Sequence, residues 1–256
     1  MPTYETIKTA IHPPTRHHID FDSGPHLYRV RETGQILESG TTFIGRFFPK
    51  FDSKAVSAKI AGRGKYKGKT QDQILTEWAA EGHRGRTEGE HLHYFLECLR
   101  NGTRPLPEPQ SDREEKLFEH GARAVMRYEE LFRWVGSEVI IASPDTGLAG
   151  QVDDWMFDST TMTYILNDWK QNKVIKTENP WERALPPIDH LEACDWVKYC
   201  LQLNLYRWIM EREEYGFYNG YRLALTHITP DFAQPKKVPD MRDEIQAMVE
   251  WNLQRR

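Results

Sequence analysis

The sequence predicts one domain of mixed helices and strands, α/β or α+β, and three observations carry that reading. A chain of 256 residues is long enough for a substantial core and short for two domains. Three short runs of strand-like composition follow one another in its middle, separated by turn signals. Longer segments with apolar residues at helical spacing stand before and after them.

The first 25 residues carry His and Pro without periodicity and read as an arm, residues 1–26, ahead of a single domain over 27–256. HLYRVRETGQILESG reads as a hairpin, with Leu27 to Val30, a turn near Gly34, and Ile36 and Leu37 on the return. A short helix around Ala55 to Ala61 precedes the Gly-basic loop GRGKYKGK, and Thr70 to Ala80 reads as a helix. From Arg86 to Arg100, Leu92, Phe95, Leu96 and Leu99 fall on one helix face, and Gly102 is available as the stop. After a Pro-rich connector a second helix is expected over Arg113 to Trp134.

The period then changes from helix to strand. Glu138 to Ala142, Leu148 to Phe157 and Thr163 to Lys170 are expected as strands, and their short connections imply an antiparallel meander. A long helix from Leu191 to Tyr215, a strand from Tyr221 to Ile228 and a last helix from Met241 to Leu253 complete the chain.

Composition narrows the function classes. The three cysteines form no CxxC pair, which removes a zinc ribbon and argues against a disulfide framework. No stretch reaches the 18 or so apolar residues of a membrane span, and the N-terminus lacks a signal layout, so a soluble, intracellular protein without membrane partners is expected. The formal charge is only −4, but residues 46–69 hold eight basic side chains and one acid, a segment at +7 against −11 for the remainder. That asymmetry points to a polyanion meeting this segment. Arg46, Lys50, Arg63, Lys65, Lys67 and Lys69 are the cations expected to follow a phosphate backbone, with Tyr66 as a stacking platform and Phe47, Phe48 and Phe51 upstream.

The chemistry-bearing residues collect later in the chain. In a strand, residues i and i+2 share a face, so Asp168 and Lys170 point the same way at the end of TYILNDWK. Asp52 and Lys54 form a second D-x-K pair, so the pattern alone is weak. The later pair differs in lying on a strand one hairpin after another acid-bearing strand, which would bring Asp153 beside Asp168. Paired carboxylates of this kind suit a hard divalent cation, although either Asp singly reads equally as a turn or strand-end residue. His91 and His93 lie about 200° apart on a helix. Only His93 shares a flank with Gly89 and Glu97, so it is the one sensible ligand candidate. Gln202 and Tyr206, at i and i+4, could serve a site or simply bond within the core.

In order, GEHLHYFLE, a strand with Glu138, LAGQVDDWMFD, ILNDWK and QLNLY resemble the GxxxHxxxE, acidic, GxxD, DxK and QxxxY motifs of the RecB-like branch of the PD-(D/E)xK nuclease superfamily. Within it, the preceding hairpin and ESGTTFIGRFFPKFD look like the stand-alone exonucleases of phages and mitochondria. The resemblance implies an α/β, restriction-endonuclease-like core with a mixed central sheet flanked by helices. It implies a metal-dependent DNase, an exonuclease acting on DNA ends or single strands in replication, recombination or repair. It makes His93, Asp153, Asp168 and the Trp169 carbonyl ligands of Mg²⁺, with Mn²⁺ an acceptable substitute because imidazole suits it. Lys170 would orient the attacking water, Gln202 and Tyr206 would position substrate or lysine, and Glu138 matches an acidic position of less defined role. The four cysteines of the iron–sulfur members have no counterparts, so no cluster is inferred. No helicase motif is present, so any motor or recombination partner would be a separate protein. A non-catalytic nucleic-acid-binding protein and a structure-specific endonuclease or nickase are the alternatives.

Overall fold

The computed structural model describes residues 18–22, 24, 27–216 and 219–255. An eight-stranded mixed sheet runs in the order β1 (Ile19–Asp22), β2 (Leu27–Val30), β3 (Ile36–Ser39), β5 (Leu148–Asp158), β6 (Thr163–Lys170), β7 (Tyr221–Ile228), β8 (Ala233–Lys237), with β4 (Arg133–Ser143) paired to β5. β3 meets β5 and β6 meets β7 in parallel, and the other pairs are antiparallel. The α/β class is therefore as expected, and the meander β4–β5–β6 is antiparallel as its short turns require.

Helices cover both faces. On one lie α1 (Gly40–Gly45), α5 (Asp195–Arg212) and α6 (Arg242–Leu253), packed on Val152, Trp155, Leu166 and Leu225. On the other lie α3 (Gln71–Asn101) and α4 (Asp112–Leu131), whose Leu92, Leu96, Leu117 and Val125 meet Met156, Ile165 and Trp169. The short α2 (Ser53–Ile60) leads into the N-terminal end of α3. Among the described residues no helix is long and apolar enough to cross a membrane.

Several expectations need correction. Residues 1–17 lie outside the described residues, but Ile19–Asp22, assigned to the arm, is a strand paired with β2, so the folded unit begins before residue 27. Its four residues are too few to show a period against the His- and Pro-rich run before them. The helices expected at Thr70 to Ala80 and Arg86 to Arg100 are one helix of 31 residues, α3. Its middle carries Gly82, Gly85 and Gly89, each costing about 1 kcal/mol relative to Ala. With no proline to break it, a Thr70–Gln73 capping box at the start and left-handed Gly102 at the end, the helix runs through. The second helix ends at Leu131, and β4 starts at Arg133, five residues before the expected Glu138. The helix expected over Leu191 to Tyr215 spans only Asp195–Arg212. Two further elements were missed: α1 is too short for periodicity, and β8 contains Pro235, which only an edge strand tolerates.

Candidate metal centre

β5 shares one edge between two partners: β3 takes Leu148 and Ala149, and β6 takes Asp154 to Asp158. Asp153 lies just before the stretch paired with β6, opposite Glu138 on β4, whose neighbours pair as Ser137↔Asp154 and Val139↔Val152. Glu138 has φ of 52°, the left-handed region a Cβ disfavours. The alternation of β5 breaks at the same level. Val152 and Trp155, three apart, both pack towards α5, and Asp154 turns to the other face, where Arg100 binds its Oδ2 at 2.6 Å. That break leaves Asp153, and not Asp154, beside the cleft.

Three elements contribute donors that converge. His93 of α3, Glu138 of β4 and Asp153 of β5 each offer a ligand atom, all within 4.8 Å of one another. His93 Nδ1 stands 3.5 Å from Glu138 Oε1 and 3.6 Å from Asp153 Oδ2, and its Nε2 is 2.9 Å from the carbonyl of Trp169. Asp168 and Lys170 share a face of β6 as their spacing requires, with Lys170 Nζ 2.6 Å from Asp168 Oδ2. Gln202 Nε2 donates to Asp168 Oδ1 at 3.2 Å and to Tyr206 Oη at 3.3 Å.

Three of the residues expected in the site, His93, Glu138 and Asp153, thus meet at one point, and the Trp169 carbonyl faces the other ring nitrogen of His93. Asp168 stands apart from that trio, turned to Lys170 and Gln202. Gly150 is explained by Tyr206, since a Cβ there would overlap the Tyr206 ring. A cleft of about 640 Å³ opens over the cluster, lined by Phe21, Tyr28, Gly89, Tyr94, Glu97 and Gln202 among others.

Burial dominates the electrostatics of the carboxylates. It raises Asp168 to about 6, with the Asp153 charge adding to it and Lys170 opposing. Burial and Glu138 also raise Asp153, against the pull of His93. Burial alone would lower His93, but Asp153 and Glu138 outweigh it and hold the imidazole up at about 9. The site thus gathers more negative charge than its own cations relieve. One imidazole and two carboxylates form a donor set that fits a divalent cation, Mg²⁺ by its oxygens and Mn²⁺ by its nitrogen, while the Trp169 carbonyl holds the far side of the imidazole.

Other expected residues have structural partners. His91 Nδ1 lies 3.1 Å from Glu114 Oε2 and faces Phe118, in keeping with a packing role. Asp52 caps α2 by accepting from Ala55 N at 2.9 Å. In the basic segment, Arg46 is tied to Glu38 at 3.0 Å and to Asn252 at 2.8 Å, and Lys69 to Glu77 at 2.7 Å. Lys50, Arg63, Lys65 and Lys67 are exposed. Tyr66 accepts from Trp78 Nε1 at 3.0 Å and Lys65 stands over its ring. Phe47 and Phe48 belong to the core, which leaves Phe51, 70% exposed, as the outward aromatic of the three.

Sequence reading missed the Arg100–Asp154 pair and the support behind Lys170, both of which join residues distant in the chain. No family model matches this chain, and no curated protein matches it. Among solved structures, one described as the crystal structure of SSO0001 is similar at a TM-score of 0.31 and 12% identity, covering 86% of this chain and 75% of that one. A likeness at that level carries no argument here.

Proposed function

We propose that this chain is a divalent-metal-dependent deoxyribonuclease of the PD-(D/E)xK type, an exonuclease acting on DNA ends or single strands. The observation that supports it is the meeting of His93, Glu138 and Asp153, with His93 held from behind by the Trp169 carbonyl and with Asp168 and Lys170 alongside. His93, Glu138 and Asp153 would hold Mg²⁺ or Mn²⁺, with Asp168 and the Trp169 carbonyl as the further oxygen donors that the resemblance implies. The bound ion supplies charge neutralisation at the phosphoryl oxygens and a water of lowered pKa.

The chain's own residues do the rest. Lys170, braced by Asp168, directs an N–H at the attacking water and offers positive charge as negative charge grows on the phosphoryl group. Gln202 fixes the Asp168 carboxylate, and Tyr206, lodged against Gly150, fixes Gln202. The stacked pair Phe21 and Tyr28 walls the cleft on the hairpin side, which favours a single strand or a strand end there over an uninterrupted duplex.

The test is incubation with Mg²⁺ or Mn²⁺ and linear or covalently closed DNA, single- and double-stranded, with chelator controls. Consumption of linear substrate with circles intact is expected. Nicked or linearised circles would make it an endonuclease, and DNA retained but uncut would make it a binding protein.

A further inference from the structure

We propose that Tyr199 is a positioning residue for Lys170, held in place by Asn172 and His227. The inference rests on the nuclease reading, since it assigns a role to residues behind that lysine. Lys170 Nζ is gripped from two directions, by Asp168 Oδ2 at 2.6 Å and by the Tyr199 ring, whose centroid is 5.0 Å away. The ring is anchored in turn: Tyr199 Oη donates to Asn172 Oδ1 at 3.1 Å. Asn172 is anchored as well, because its backbone carbonyl accepts from His227 Nε2 at 2.6 Å. His227 is buried on β7 directly in register with Lys170, and the Phe232 ring meets it edge-on. The path therefore starts on the neighbouring strand, passes through the residue two beyond Lys170, and closes on the ammonium from α5.

The chemistry explains why a ring serves here better than another acceptor. An ammonium has three N–H groups, and Asp168 takes one. A second carboxylate or carbonyl would take another and turn it away from the water. An aromatic face attracts the cation through its quadrupole without a directed hydrogen bond, so the remaining N–H groups are left for a water. Tyr199 and Asn172 are only partly buried, so both tolerate substitution without opening the core.

The experiment uses the full chain with diamagnetic Mg²⁺ and end-labelled linear DNA, comparing Tyr199→Phe, Tyr199→Leu and Asn172→Ala with the unmodified protein. Lysines carry a ¹³Cε label, and the Lys170 signal is assigned by its loss in Lys170→Arg. We expect the Lys170 signal to show a ring-current shift that Tyr199→Phe keeps and Tyr199→Leu loses. Tyr199→Leu should lower kcat about tenfold, equivalent to about 1.4 kcal/mol, with KM unchanged. Tyr199→Phe and Asn172→Ala should fall between, because each keeps the ring and frees it. If Tyr199→Leu loses the shift yet keeps its kcat, the positioning role is overturned while the nuclease reading stands. If KM alone rises, Tyr199 is a substrate contact and the role is likewise overturned. If the unmodified protein cuts no DNA, the nuclease reading fails and the role falls with it.

Discussion

Both backbone polar groups of Trp169 are engaged by the site: its N–H donates to Asp153 Oδ2 at 2.8 Å, and its carbonyl faces His93 Nε2 at 2.9 Å. Asp153 thereby joins β5 to β6 just beyond the regular pair Asp154↔Asn167. The end of β6 is fixed against two elements at once, so Asp168 and Lys170, flanking Trp169, have set directions before any substrate arrives. Preorganisation of this kind is what lets a charged side chain act without reorganising during the reaction.

Lys170→Ala should lower hydrolysis about a thousandfold or more while the protein stays folded, because Asp168, raised to about 6 by burial, can take up a proton in its place. The control is Asp52→Ala with Lys54→Ala. Loss of the α2 cap should cost about 1 kcal/mol of stability and leave turnover intact. A dead control beside an active Lys170 variant would mean the site has been put in the wrong place.

His93→Ala should weaken Mn²⁺ binding, followed by calorimetry, at least about tenfold. His91→Ala should leave metal affinity alone and cost about 1–2 kcal/mol of stability, because buried Glu114 loses a partner. Equal effects on metal affinity would make both histidines packing residues.

Glu138 separates a backbone effect from a carboxylate effect. Glu138→Gly and Glu138→Ala both remove the carboxylate and should weaken Mn²⁺ binding alike. At φ of 52°, however, the Gly variant should be the more stable, by about 1 kcal/mol in urea unfolding. An Ala variant as stable as the Gly variant would show that this strand position is unstrained.

Acid stability should depend on Asp240. Its hydrogen bond to Arg207, helped by Arg242, holds the carboxyl down at about 2 against a usual 3.8. A folded value below the unfolded one gives a contribution complete above about pH 4 and lost as pH falls towards about 2. Because the side chain is 55% exposed, screening limits the effect to about 1 kcal/mol. Asp240→Asn should be less stable than the unmodified protein at neutral pH by that amount, and the gap should close near pH 2. A gap independent of pH would point to lost packing.

The basic segment should affect binding and not turnover. Lys65→Gln with Lys67→Gln should reduce the salt slope of single-strand binding by about 1.4 units, at about 0.7 per lost phosphate contact. Lys69→Gln should change it little, since Lys69 is occupied by Glu77. A slope unmoved by the double variant would leave the loop as ordinary surface.

Among the described residues, the sequence alone determined the features whose physics is local. The strands β5 and β6 and the stop at Gly102 follow from strand-like composition between turn signals and from a glycine free to turn left-handed, so they were legible. The shared face of Asp168 and Lys170 follows from a period of two, which holds in any strand. The resemblance, and not the strand pattern, singled out Asp153; the tertiary structure gives the physical reason, turning Asp153 to the cleft and Asp154 to Arg100. Strict alternation cannot make that choice, because it is interrupted where left-handed Glu138 lies across the ladder from Asp153. The same holds for the merged helix α3, where packing along its length outweighs three glycines, and for Tyr199, Asn172 and His227, which meet behind Lys170 only because β7 lies parallel to β6 in one register. Local propensity carries no information about register between distant segments, and a site assembled from two helices and three strands is a product of register.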